Sequence, residues 1–152
     1  MWFICYNAKK GEKIMKKIGI IGTRRRNIRT DFIKVKDAFF EVYEDGDWIV
    51  SGGCPEGGDA FAEKIARDFG IPILTLHARW NHKWIDEEKK FIRKYNQAAG
   101  FIRNGPIAEH SDVIIACVAD DRTGGTEDTL KKFEKDKIRE KRFKMDGEII
   151  LV

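Results

Sequence analysis

Three short segments combine glycines, hydroxyls and charged side chains in a way suited to holding an anion. They are Gly22-Thr23-Arg24-Arg25-Arg26, Ser51-Gly52-Gly53-Cys54-Pro55-Glu56-Gly57-Gly58-Asp59 and Ala119-Asp120-Asp121-Arg122-Thr123-Gly124-Gly125-Thr126. Glycine lets an anion reach main-chain N–H groups that a Cβ would shield. Where such a loop opens a helix, the N-terminal dipole favours negative charge as well. Arg103 adds a planar fork suited to phosphate, and Asn104 can read a base edge or a hydroxyl. Asp59 can cap a helix or accept hydrogen bonds from a ribose. The candidate ligand-binding residues are therefore Gly22, Thr23, Arg24, Arg25, Ser51, Gly52, Gly53, Gly57, Asp59, Arg103, Asn104, Gly124, Gly125 and Thr126. Arg103 and Asp59 are also the candidates for catalysis.

Other chemistries find less support. No lysine follows the last glycine of 124–125, as a Walker A loop requires, and there is no GxGxxG and no nucleophile elbow. His77, His82 and Asp86 lack the spacing of a metal site, so no metal is expected. No cofactor is indicated. Trp80 and Trp84 read as packing residues, with base stacking as the alternative. The basic stretch 131–144, eight Lys/Arg against three Asp/Glu, reads as a solvated helix face.

For the three loops to converge, they must leave the same edge of one sheet. Apolar runs at 17–21, 48–50, 71–76, 113–118 and 149–152 read as strands, and apolar spacing predicts helices over 31–43, 60–69 and 130–143. Gly70 is a natural helix stop. The region between 76 and 112 is less regular: a loop, a helix over 86–97, and a short helix over 107–110 after a break at Gly105-Pro106. Strands that are apolar along their whole length suit a sheet covered on both faces. The expectation is an α/β fold: a Rossmann-like, doubly wound, mostly parallel five-stranded sheet with helices on both faces.

A chain of 152 residues suits one domain. The reading is a single domain over 15–152, with 1–14 as an extension that is either an edge strand or a disordered arm. At 42% apolar and 36% charged residues, the chain is too apolar for disorder and too charged for a membrane protein. The longest apolar stretch, 113–119, falls far short of the roughly 20 residues that span a bilayer. A net charge of +4 does not by itself mark a nucleic-acid binder. Three scattered cysteines without CxxC spacing suggest a reducing compartment, and the expected location is cytoplasmic.

The segments IGIIGTRRR (18–26), WIVSGGCPEGGDAFAEKIA (48–66), Arg103-Asn104, AEHSDVIIA (108–116) and Gly124-Gly125-Thr126 together resemble the SLOG superfamily. That superfamily groups Rossmann-like proteins including the LOG phosphoribohydrolases and DNA-processing protein A. The small YspA or cpYpsA-related members are the most similar, over about 16–133. The resemblance implies a nucleotide or nucleotide-derived ligand at the strand ends. It puts phosphate on Gly52, Gly53, Gly57, Gly124, Gly125 and Thr126, and gives Arg103 the place of the arginine beside the ligand in the hydrolases. The hydrolases carry a GGxGTxxE motif; here the position of its glutamate holds Thr129. Three functions follow in order: nucleotide binding for sensing or sequestration, N-glycosidic hydrolysis of a nucleoside monophosphate, and single-stranded DNA binding. Domains of this kind often pair, so a homo-oligomer is a further expectation, without an identified interface.

Overall fold

The computed structural model describes residues 6–7, 12–13, 15–78, 81–85, 91–95, 99–139 and 147–152. In chain order the elements are β1 (Tyr6–Asn7), β2 (Glu12–Lys13), β3 (Lys17–Gly22), α1 (Arg29–Val42), β4 (Trp48–Ser51), α2 (Gly58–Phe69), β5 (Ile73–Thr75), β6 (Asn81–Ile85), β7 (Phe91–Tyr95), α3 (Ala99–His110), β8 (Val113–Cys117), α4 (Gly125–Arg139) and β9 (Glu148–Leu151). The main sheet has five strands in the order β5-β4-β3-β8-β9. Every neighbouring pair in it is parallel. This is the expected doubly wound α/β fold, with the sheet wholly rather than mostly parallel.

Alternation along the strands divides the core. Ile18, Ile20, Ile49, Ile115 and Cys117 face α1 and α2, where Val35, Phe39, Phe61 and Ile65 cover them. Ile21, Val50, Ile114 and Ala116 face Ile107 and Ala108 of α3 and Leu130 and Phe133 of α4. One face per helix pair explains why the strands are apolar throughout. Burial on the Cys117 side also raises its thiol pKa, as a packed core cysteine requires. Gly70 ends α2 in the left-handed conformation, φ 64°.

Three expectations between 76 and 112 are corrected, the first being that residues 81–85 of the expected loop form strand β6. Residues 91–95 of the expected helix are strand β7, antiparallel to β6, with Trp84 opposite Ile92. Residues 86–90 and 96–97 lie outside the described residues, as do Trp80 and 140–146. The second helix begins at Ala99 and runs through Gly105-Pro106. The hydrogen bond that Pro106 cannot donate would go to Ile102, a 63% exposed residue whose carbonyl water can satisfy. At the other end of the chain, β1 and β2 form a two-stranded ladder of their own.

The amino edge of the sheet is closed by a buried ion pair. Asp47, fully buried, accepts from the Lys16 main-chain N–H (3.1 Å), the Glu44 N–H (2.9 Å) and the Lys16 ammonium. Glu44 lies 3.7 Å from the same ammonium. Removing one partner of such a pair strands the other in a low dielectric. Asp47→Ala is expected to cost about 3–5 kcal/mol in urea unfolding with an unchanged m-value. A loss below 1 kcal/mol would show that the pair is not what fixes this edge.

Candidate functional site

In the main sheet, chain order runs outward from β3 to β5 on one side and through β8 to β9 on the other. The connections leaving the carboxyl ends of β3 and β8 therefore diverge, and a crevice opens between them. A cavity of about 360 Å³ lies there, of the size that takes a small ligand. Of the candidate residues, Gly22, Thr23, Arg24, Arg25, Asp59, Arg103, Asn104, Gly124, Gly125 and Thr126 line it. Ser51, Gly52, Gly53 and Gly57 do not.

The reason lies in how the 51–58 loop uses its own N–H groups. Those of Gly52 and Cys54 donate to the Asp59 carboxylate at 3.2 and 3.1 Å. The Gly53 N–H donates to Ser51 Oγ, and the Gly57 N–H to Asn27 Oδ1 at 2.8 Å. The glycines serve close approach instead. A Cβ on Gly57 (φ +74°) would lie 2.6 Å from the Thr23 carbonyl oxygen, and one on Gly58 would strike the Ile21 and Gly22 backbone. Gly52 leaves room for Arg103, whose Nη1 donates to the Gly52 carbonyl and to that of Leu76 (3.3 Å).

Asp59 is the one carboxylate among the described residues lining the cavity. Burial raises its pKa above the ordinary carboxylate value, opposed by Arg103 and by the two loop N–H groups. Arg103 Nη1 stands 4.0 Å from Asp59 Oδ2, while Arg103 Nε is buried without an acceptor among the described residues.

The opposite wall is the start of α4. Its first main-chain bond runs from the Asp128 N–H to the Gly124 carbonyl at 3.4 Å. The N–H groups of Gly125, Thr126 and Glu127 precede that bond and have no intrahelical acceptor. Gly124 adopts φ +104°, and Arg122 the left-handed φ of 53°. The carboxylates of this first turn are engaged. Glu127 pairs with Arg122, and Asp128 takes Asn104 Nδ2 (2.9 Å) and Lys132 (2.9 Å). Thr129, which stands where the hydrolases have glutamate, lines the cavity and donates to the Gly125 carbonyl at 3.2 Å.

The three consecutive arginines divide. Arg26 is structural, binding Asp31 (2.9 Å), the Val118 carbonyl (3.1 Å) and the Val152 main-chain oxygen. Arg25 grips Asp121 through both terminal nitrogens at 2.7 and 2.8 Å, holding that carboxylate well below its usual range. Arg24 is exposed on the cavity wall with no ion pair among the described residues.

The sequence reading missed Cys54, Gly100, Phe101, Ile107 and Thr123, all of which line the cavity. Gly100, Arg103, Asn104 and Ile107 stand at helical spacing on one face of α3. Reading the helix from Ala99 would have found them together. His77 sits against Gly53, while Asp86 and the His82 side chain lie outside what is described.

The sign of the Asp59 shift gives a prediction. A carboxyl whose folded pKa is raised stabilises the fold most below its unfolded pKa, near 4, and loses that contribution as pH rises through the folded value. In urea unfolding, the stability of Asp59→Asn relative to the native chain should therefore rise from pH 3.5 to pH 7. A difference that stays flat, or falls, would contradict a buried, raised carboxyl.

No family model and no curated protein matches the chain. Among solved structures it is similar to the molybdenum cofactor binding protein of the phototrophic bacterium Rippkaea orientalis. The TM-score is 0.62 at 19% identity, over 91% of this chain and 76% of that one. It is also similar to DNA processing protein A (DprA) of Streptococcus pneumoniae. There the TM-score is 0.64 at 15% identity, over 90% of this chain and half of the DprA chain. At such identities the likeness shows the fold alone: the doubly wound, parallel α/β sheet expected from the sequence.

Proposed function

We propose that the chain binds a nucleotide or nucleotide-derived anion in the cavity between the carboxyl ends of β3 and β8. The observation that carries this reading is the donor-rich wall at the start of α4. Three N–H groups there have no intrahelical acceptor, Arg24 has no ion pair among the described residues, and the one lining carboxylate, Asp59, is already held by two loop N–H groups. Such a surface attracts a phosphate. In this reading Gly124, Gly125 and Thr126 hold the phosphate and Arg24 neutralises it. Asn104 and Asp59 face the rest of the ligand, and the 51–58 glycines shape the wall from behind.

A hydrolase reading would have to run through Asp59. Its raised pKa suits a proton-transfer role, and Thr129 cannot supply one. Release of free base from nucleoside monophosphates, followed by chromatography, separates hydrolysis from binding alone. The likeness to DprA keeps single-stranded DNA as a third reading. Its mark would be an affinity that falls steeply with salt.

A thermal-shift screen against nucleotides, NAD, ADP-ribose, cyclic nucleotides and a short oligonucleotide tests the site. A ligand at 100 times its Kd adds about 2.7 kcal/mol of stability. Arg24→Ala should weaken binding of the hit by about 1.5–3 kcal/mol in calorimetry, the scale of a hydrogen bond to a charged group. The reading fails if no small nucleotide shifts the melting temperature, or if Arg24→Ala binds as tightly as the native chain.

A further inference from the structure

Among the described residues nine large apolar side chains are conspicuously exposed, and of these Phe101 alone lines the cavity. It is 54% exposed and is the one aromatic among the described lining residues. Leaving a phenyl ring half in water on the wall of a crevice forgoes the gain of burying it. With no aromatic or cationic partner for Phe101 among the described residues, the ring offers a π face on which a planar heterocycle can stack without any need for hydrogen bonds.

Its position is fixed relative to the anion end of the cavity. Lys132 donates to the Phe101 carbonyl and pairs with Asp128 at 2.9 Å. Asn104 Nδ2 then donates to that same Asp128 oxygen (2.9 Å) and to the Gly125 carbonyl (3.2 Å). This polar chain registers the start of α3 against the first turn of α4. The stacking surface and the α4 N–H groups are therefore held together by Lys132, Asp128 and the amide nitrogen of Asn104, which leaves Asn104 Oδ1 to the cavity.

We infer that Phe101 is the ring-recognising residue of the site. It selects phosphates that carry a planar aromatic heterocycle over bare sugar phosphates. This deepens the proposed function and rests on it: the phosphate goes to the start of α4, and the ring lies against Phe101.

Calorimetry separates the two. The probes are AMP, GMP, CMP, UMP, ribose 5-phosphate and inorganic phosphate, each titrated into the native chain, Phe101→Ala and Phe101→Tyr. The native chain should bind at least one mononucleotide more tightly than ribose 5-phosphate. Phe101→Ala should lose roughly 5- to 100-fold for that nucleotide, the range of base–aromatic stacking. Phe101→Tyr should stay near native, and ribose 5-phosphate should bind all three chains alike. Equal losses for nucleotide and ribose 5-phosphate in Phe101→Ala would overturn the inference and leave the anion site standing, as would no loss for either. Failure of every probe on the native chain would remove the anion site and this inference together.

Discussion

At the carboxyl end of β3 the main chain passes so close to the first turn of α2 that neither Gly22 nor Gly58 has space for a Cβ. Much of the crevice follows from this contact. It sets the helix start directly against the strand end, so Asp59, one residue into α2, turns its carboxylate back onto the 52–54 loop. It also forces Gly57 into a conformation that side chains avoid, with its N–H aimed at Asn27. Arg103 then closes the same corner from α3, reaching the Gly52 and Leu76 carbonyls. A methyl group at either glycine would have to push backbone against backbone, where nothing flexible can yield.

The two glycine-bearing loops play different electrostatic parts. The loop after β4 satisfies itself: its N–H groups go to Asp59, Ser51 and Asn27, so the protein carries its own anion there. The loop after β8 bonds the Arg122 and Thr123 N–H groups internally, leaves those of Gly125, Thr126 and Glu127 without an intrahelical acceptor, and ties the first-turn carboxylates of α4 to Arg122, Asn104 and Lys132. What remains open is donor-rich on the α4 side and closed on the α2 side. Arg25 and Asp121 join the β3 and β8 loops across the mouth, while Arg24 is left to the cavity.

The sheet was legible because each strand is apolar on both faces, and that pattern has few other uses. The site was legible in part, since glycine-rich strand ends point to a crevice whatever the ligand. Which glycines line the cavity and which merely permit close approach was not legible. That depends on where Asp59 folds back, a contact between residues seven and five apart in the chain but fixed by the packing of α2 on β3. Pro106 hid the α3 wall, because a proline reads as a helix end unless the lost bond is known to face water. The β6–β7 hairpin was missed for another reason. Apolar, aromatic and charged residues are interleaved over 81–95 and fit helical spacing as readily as alternation, and pairing between two segments leaves little mark in either one.

The self-satisfied loop has a thermodynamic side. Because Asp59 already holds the Gly52 and Cys54 N–H groups, this wall keeps its shape in the empty protein. A ligand bound as proposed would not have to freeze a floppy glycine segment, whose ordering would cost about 1–2 kcal/mol per residue. Its association would draw free energy from contact without an ordering cost on this side, and its rate would be set by encounter rather than by loop closure.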